Sequence, residues 1–128
     1  MVLDASAVIA ILLQEPEAKA LSDKIERDPI RYISAANWLE TQLVLNGRHG
    51  SSGGAKADTF FRELRVEIVP LDAIHVHTAL GAWQQYGKGR HPAGLNLGDC
   101  CAYATAVLKN QPLLYKGDDF KRTAIMRA

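Results

Sequence analysis

Cysteine is nearly absent from this 128-residue sequence, and its two copies, Cys100 and Cys101, are adjacent. Neighbours on one helix point in different directions, so a bridge between them is not expected, and their spacing does not suit zinc. Small buried apolar residues in a reducing compartment are expected instead. No apolar run approaches the roughly 20 residues of a membrane span. Nor does a basic region precede the first apolar stretch, so a cytoplasmic protein is the expectation. A Walker A or GxGxxG loop is also missing, because Gly87-Lys88-Gly89-Arg90 has neither the spacing nor a preceding strand. His49, His75, His77 and His91 show no ligand pattern, and no Ser/His/Asp arrangement presents itself. Zinc, nucleotide-loop and serine-hydrolase chemistry are set aside on these grounds.

What is present is ordinary for a folded chain: 48% apolar and 23% charged residues. One domain over residues 1–128 is expected, burying roughly two thirds of its unfolded surface. The net charge of +1 hides an asymmetry. Residues 1–85 hold 8 Lys and Arg against 11 Asp and Glu, whereas residues 86–128 hold 7 against 3. Lys88, Arg90, His91, Lys116, Lys121 and Arg122 are candidates for a basic rim around an acidic centre, an arrangement suited to a polyanion.

The chain is organised around its first ten residues. Met1-Val2-Leu3 reads as a short buried strand, and Asp4 falls at its carboxyl end, where sites form in open α/β sheets. Ala5–Leu13 reads as a helix, ended by Gln14-Glu15-Pro16. Glu17–Asp28 reads as a surface helix with Ala18, Leu21 and Ile25 inward, and Ile30–Ile33 as a second strand. Ser34 is suited to cap a third helix, reaching about Arg48, with Ala36, Leu39, Leu43 and Val44 on the face directed at the core. Residues 47–54, rich in Gly and Ser, read as a flexible connection to a helix over Ala57–Leu64. Val66–Val69 reads as a third strand, and Asp72 as the cap of a helix to about Tyr86. Gly87–Gly94 is a loop, Asp99–Leu108 a buried helix and Leu113–Tyr115 a fourth strand. Strands alternating with helices predict a mainly parallel sheet covered on both faces.

Four acidic positions stand out, each with a simpler role beside the chemical one. Asp4 and Asp99 are both suited to capping a following helix. Glu40 sits among residues expected to face the core, where a carboxylate needs a partner or a cation, unless it bends out to solvent. Asp118 and Asp119 follow a strand, where surface turns carry such pairs, and only one of them is expected to face a site. Brought together, four carboxylates repel one another, and a hard divalent ion resolves this. Oxygen-only ligands favour Mg²⁺, with Mn²⁺ as a substitute, over zinc.

Leu3-Asp4-Ala5-Ser6-Ala7, Glu40, Gly98-Asp99-Cys100-Cys101-Ala102-Tyr103-Ala104 and Leu113-Leu114-Tyr115-Lys116-Gly117-Asp118-Asp119-Phe120 occur in order. In this respect the chain resembles the PIN domains, specifically the VapC toxins of type II toxin–antitoxin pairs, over essentially its whole length. The stretch from Tyr86 to Asp99 is similar to one branch of that family. The resemblance implies a three-layer α/β fold with about five mainly parallel strands, and a Mg²⁺-dependent endoribonuclease. By the same resemblance Asp4, Glu40 and Asp99 match the acidic residues of the motif, with Asp4 and Asp99 as metal ligands. The fourth acid falls at Asp118 or Asp119, and Ser6 matches the small hydroxyl residue that hydrogen-bonds to a ligand or water. The sequence departs from the pattern where Ala5 stands for Thr, and where Tyr115 and Gly117 replace a Thr/Ser-plus-acid spacing. A VapB-type antitoxin, a homodimer and an RNA substrate are implied as partners, with RNA contacts expected at Lys88, Arg90 and His91.

Other readings fare worse. A phosphoryl-accepting domain needs an Asp at the end of the third strand, where Val69-Pro70-Leu71 stands, and an Asp-x-Asp phosphatase fails because position 6 is Ser. The rival from another class is a catalytically silent binding module of the same fold, pairing only with an antitoxin or RNA.

Overall fold

Four short strands form the centre of the molecule: β1 (Val2–Leu3), β2 (Tyr32–Ser34), β3 (Glu67–Val69) and β4 (Leu113–Leu114). The computed structural model describes all 128 residues. The sheet order is β3-β2-β1-β4, and every pairing is parallel. Where a fifth strand was expected, there is a single parallel bridge between Leu113 and Arg127. The segment after Phe120 offers few apolar residues for a strand. It pairs only through the Leu113 amide to the Met126 carbonyl and the Ala128 amide to the Leu113 carbonyl.

Six helices cover the sheet: α1 (Ala5–Leu12), α2 (Ala18–Arg27), α3 (Ala35–His49), α4 (Ser51–Glu63), α5 (Ala73–Tyr86) and α6 (Leu97–Lys109). Successive strand residues face opposite sides, so the two residues of β1 serve different cores. Val2 and Leu113 pack with α5 and α6 residues such as Ala82 and Ala102. Leu3, Ile33 and Leu114 pack with Leu21 and Ile25 of α2, Leu45 of α3 and Phe61 of α4. Burying each of the larger of these side chains contributes about 1.5–3 kcal/mol. The result is the expected three-layer α/β arrangement, with β1 and β2 in the middle of the sheet.

Two expectations are corrected. The face of α3 carrying Ala36, Leu39, Leu43 and Val44 does not enter the core, since Leu39 is 58% and Leu43 65% exposed. The inward residues are Asn37, Thr41 and Leu45. Polar side chains can take this face because their groups are paired: the Thr41 hydroxyl donates to the Asn37 carbonyl at 2.8 Å, and Asn37 finds partners described below. Apolar periodicity marked a real face of α3, but the face is open.

The Gly/Ser stretch is helical rather than flexible. Gly50, at φ +64°, ends α3, and α4 begins at once with Ser51. Gly53 and Gly54 are buried against α3. A Cβ on Gly53 would lie 2.3 Å from the Leu45 carbonyl oxygen, and one on Gly54 2.5 Å from Asn46 Nδ2. These glycines let two helices approach closely; their poor helix propensity hid that role. Of the two tryptophans, Trp38 is partly buried against the second core, while Trp83 is exposed beneath the Arg90 guanidinium, 4.4 Å from its ring centroid.

A pair of substitutions tests this account of the α3–α4 contact. Gly53→Ala places a methyl against backbone that cannot move aside and is expected to destabilise by about 1–3 kcal/mol. Gly47→Ala, on α3 with open space around it, is expected to stabilise by up to about 1 kcal/mol through helix propensity. Urea unfolding of both variants gives the two signs; stabilisation by Gly53→Ala would sink the close-approach explanation.

Candidate active site

Three carboxylates reach the carboxyl edge of the sheet from different elements. Asp4 follows β1 and is the N-cap of α1. Its Oδ2 accepts the Ser6 amide at 3.0 Å and also the Ser6 hydroxyl, while Ser6 Oγ in turn accepts the Lys116 amide at 3.0 Å. Ser6 thereby ties Asp4 to the loop after β4. Asp4 Oδ1 accepts from Asn37 Nδ2 at 3.2 Å, and the same nitrogen donates to the Gly98 carbonyl at 3.1 Å. Both Asp4 and Asn37 are buried.

Asp99 lies in the first turn of α6, which starts two residues earlier than expected. Asn96 is its N-cap, and the two residues form a capping box: Asp99 N donates to Asn96 Oδ1 and Asn96 N to Asp99 Oδ2, each at 2.9 Å. Asp99 Oδ1 takes no hydrogen bond and remains available. Glu40, half-buried on α3, packs against this same turn. A Cβ on Gly98 would meet Glu40 Oε2 at 2.5 Å, so a larger residue there would push the Glu40 carboxylate aside.

The loop after β4 separates its two aspartates. Asp118, exposed, pairs with Lys121 at 2.6 Å, and that ion pair holds its carboxyl below the usual range. The charge of Asp119, by contrast, acts on both Asp4 and Asp99. Asp119, itself exposed, is therefore the candidate member of the pair for the acidic group. Burial raises the Asp4 carboxyl above its ordinary value, against the Ser6 hydrogen bonds, and burial followed by the Asp4 charge raises Glu40. Asp99 is pushed up to about 7, by burial first and then by Asp4, Asp119 and Glu40.

Part of the expected basic rim is committed elsewhere. The Lys116 ammonium pairs with Glu15 and, at 3.6 Å, Glu17, joining the β4 loop to the start of α2. Arg90 rests on Trp83, and His91 is built into its own loop, with Nδ1 accepting the Ala93 amide at 3.0 Å. The basic residues beside Asp119 are Lys121 and Arg122, which line a polar cleft of about 360 Å³ with Pro92, Ala93, Asp118 and Asp119.

Known proteins agree with this architecture. The PIN domain family matches residues 1–126. The chain belongs to that family. Ribonuclease VapC of Mycolicibacterium smegmatis is 45% identical over 125 residues, covering 98% of this chain and 97% of the relative, which places the chain among the VapC proteins. Among solved structures, Mycobacterium tuberculosis VapC20, described as a sarcin–ricin loop cleaving toxin, has a TM-score of 0.80 at 16% identity over 99% of this chain and 97% of its own. A toxin–antitoxin complex from Klebsiella pneumoniae gives 0.74 at 19% identity, over 96% and 92%. At these identities the two structures bear on the fold.

In this PIN domain no three acidic, histidine or cysteine side chains lie close enough together to hold a metal ion. The donor chemistry nonetheless fits a hard divalent cation. Its donors are oxygens only, three carboxyls are raised by burial first and by neighbouring acidic charge second, and Asp99 Oδ1 takes no hydrogen bond. Asn37 was missed from the sequence, although an Asn on the same helical stripe as Thr41 and Leu45 was a usable signal, because a buried amide must have polar partners.

The raised Asp99 carboxyl predicts a pH dependence. Between its ordinary value of 3.8 and about 7 the folded form holds a proton that the unfolded chain has released. Stability in EDTA therefore falls as pH rises through that window, with Asp4 and Glu40 acting in the same direction. Buried His75, whose imidazole burial holds below its ordinary value, acts the opposite way in this range. The test is therefore the difference between proteins: the fall of Tm in EDTA from near pH 5 to near pH 8 is expected to be larger for the wild type than for Asp99→Asn. An unchanged slope in that variant would remove Asp99 from the coupled group.

Proposed function

We propose that this protein is the toxin of a type II toxin–antitoxin pair, a Mg²⁺-dependent endoribonuclease that hydrolyses RNA phosphodiester bonds in the cytoplasm. What supports the reading is the approach of Asp4, Glu40 and Asp99 to the Gly98 turn from three separate segments, with the charge of Asp119 reaching two of them, in a chain 45% identical to a protein named Ribonuclease VapC. No helix of the chain is long and apolar enough to cross a membrane.

In this reading Asp4 and Asp99 hold the ion, with Mn²⁺ as a substitute. When bound, the metal supplies charge neutralisation among the carboxylates and Lewis-acid activation of the phosphodiester and the attacking water. Ser6 orients Asp4 through two hydrogen bonds to one oxygen. Glu40 and Asp119 complete the acidic set, and Glu40, with its raised affinity for a proton, is suited to accept one from the attacking water. Asp118 serves the site indirectly, by fixing Lys121 beside Asp119. Lys121 and Arg122 border the cleft where a flanking phosphate fits, and Lys88, Arg90 and His91 extend the RNA-binding surface.

The partners follow the same reading: a VapB-type antitoxin that neutralises the nuclease, and a second copy of the chain. Leu39, Leu43, Leu71, Leu80, Trp83 and Leu97 are all exposed, Leu97 to 81%, and line two adjoining grooves that share Leu71 and Leu97. Exposed large apolar side chains gathered on one face in this way mark an interaction surface. We assign it to the second copy.

RNA cleavage by purified protein with Mg²⁺, Mn²⁺ or EDTA tests the activity. Asp99→Asn and Glu40→Gln are each expected to lower the rate by at least about a hundredfold while remaining folded. Equal cleavage by the wild type and Asp99→Asn would reject the site, and a folded protein that binds antitoxin without cutting any RNA would favour the silent binding module. For the dimer, sedimentation is expected to show a dimer for the wild type and a monomer for Leu43→Asp. A monomeric wild type at tens of micromolar would reject that assignment.

A further inference from the structure

We infer that Asn37 is a positioning residue of the acidic site, setting the distance between the β1 carboxylate and the turn that carries Asp99. This inference deepens the proposed metal-dependent site and rests on it.

The argument begins with the hydrogen-bond capacity of one side chain. A primary amide offers two N–H donors and one carbonyl oxygen. At Asn37, which has no exposed surface, all of these are used. Nδ2 donates to Asp4 Oδ1 at 3.2 Å and to the Gly98 carbonyl at 3.1 Å. Oδ1 accepts the Ser34 hydroxyl, and Ser34 Oγ accepts the Asn37 amide at 3.0 Å. The orientation of the amide follows from chemistry, because Asp4 and the Gly98 carbonyl are acceptors in the folded chain and only the NH₂ group can serve both. The Ser34 hydroxyl locks the other end.

Those four bonds join three places in the fold. Ser34 is the end of β2 and the cap of α3, Asp4 is the end of β1, and Gly98 is in the first turn of α6, next to Asp99. Asn37 also lies one turn before Glu40, whose carboxylate packs on the same Gly98. A single buried amide thus sits among three of the four acidic residues and touches the backbone or side chain that places two of them.

Helix capping does not require this arrangement. The α3 cap is completed by Ser34 alone, the α1 cap by Asp4 with Ser6, and the α6 cap by Asn96 with Asp99. What the Asn37 side chain adds is a cross-link between elements that approach with like charges. Its donor also takes one lone-pair direction of Asp4 Oδ1, which fixes the carboxylate plane and leaves the remaining directions to a cation. Partners of this kind, one bond behind a metal ligand, typically affect affinity by about 10–100-fold.

The test measures Mn²⁺ binding by calorimetry or electron paramagnetic resonance, beside RNA cleavage, for wild type, Asn37→Ala, Asn37→Ser and Leu45→Ala. Leu45, buried two turns along the same helix, is a control for stability lost without contact with the acids. Asn37→Ala is expected to bind Mn²⁺ at least about tenfold more weakly and to lower kcat with little change in KM for RNA. Leu45→Ala is expected to lose Tm while keeping the wild-type Mn²⁺ affinity. Should Asn37→Ala fail to fold, Asn37→Ser carries the comparison, since its hydroxyl stands a bond short of both acceptors. Mn²⁺ affinity and kcat within twofold of wild type in the folded variant would overturn the inference, as would equal losses in Leu45→Ala. A folded wild type that binds no Mn²⁺ would instead reject the metal site itself.

Discussion

Taking carboxylates out of water and bringing them towards one another is the constraint around which this structure is arranged. Two charges about 4 Å apart interact by roughly 4 kcal/mol at the effective dielectric of a protein edge, and a hydrogen bond to a charged group returns only about 1.5–3 kcal/mol. The acids therefore cannot be held together by one another. Two are anchored from behind by their own neighbours, Asp4 by Ser6 and Asn37 and Asp99 by Asn96, while the Glu40 carboxylate rests beside Gly98. A parallel sheet supplies the geometry, because β1 and β2 both end at the edge where α1 and α3 begin. The anchors account for where the carboxylates are. They do not remove the cost of placing these acids there: burial first, and neighbouring acidic charge second, raise the carboxyls of Asp4, Glu40 and Asp99, and a cation would relieve both.

How much of this was legible in the sequence depends on how local each signal is. Asp4 could be placed because an apolar strand, one acid and a helix follow each other within ten residues, and Asp99 because it opens a helix with no other charge until Lys109. The caps at Ser34 and Asp72 were legible for the same reason. Choosing between Asp118 and Asp119 was not, because both are exposed in one short loop, and only the ion pair of Asp118 with Lys121 and the charge that Asp119 exerts on Asp4 and Asp99 distinguish them. The glycines of α4 failed for another reason. Intrinsic propensity argues against a helix containing Gly53 and Gly54, and only their contact with Leu45 and Asn46 explains it. Tertiary packing reversed a local preference there.

Helix α3 shows why a correct pattern can be assigned to the wrong side. Its apolar stripe, from Ala36 to Val44, and its polar stripe, Asn37 with Thr41, are both present in the sequence. The ordinary rule sends the apolar stripe inward. Here the buried stripe is the one whose polar groups are fully paired, because Asn37 has acceptors on two other elements and Thr41 has one on its own helix. Burying a polar side chain is inexpensive only under that condition. Satisfaction of hydrogen bonds, more than hydrophobicity, decided the rotation of this helix.

That rotation ties the chemistry to the surface. Glu40 lies at the boundary of the two stripes, so the larger groove is walled at one end by Glu40, Asn96 and Gly98 and elsewhere by Leu39, Leu43, Leu71 and Leu97. The acidic site and the open apolar face therefore share a wall. Turning α3 so that Leu39 and Leu43 entered the core would carry Asn37 away from Asp4 and Gly98, leaving a buried carboxylate oxygen and a carbonyl without their donor. Exposed leucines are tolerated on this face because the alternative rotation dismantles the polar contacts that join Asp4 to the turn carrying Asp99.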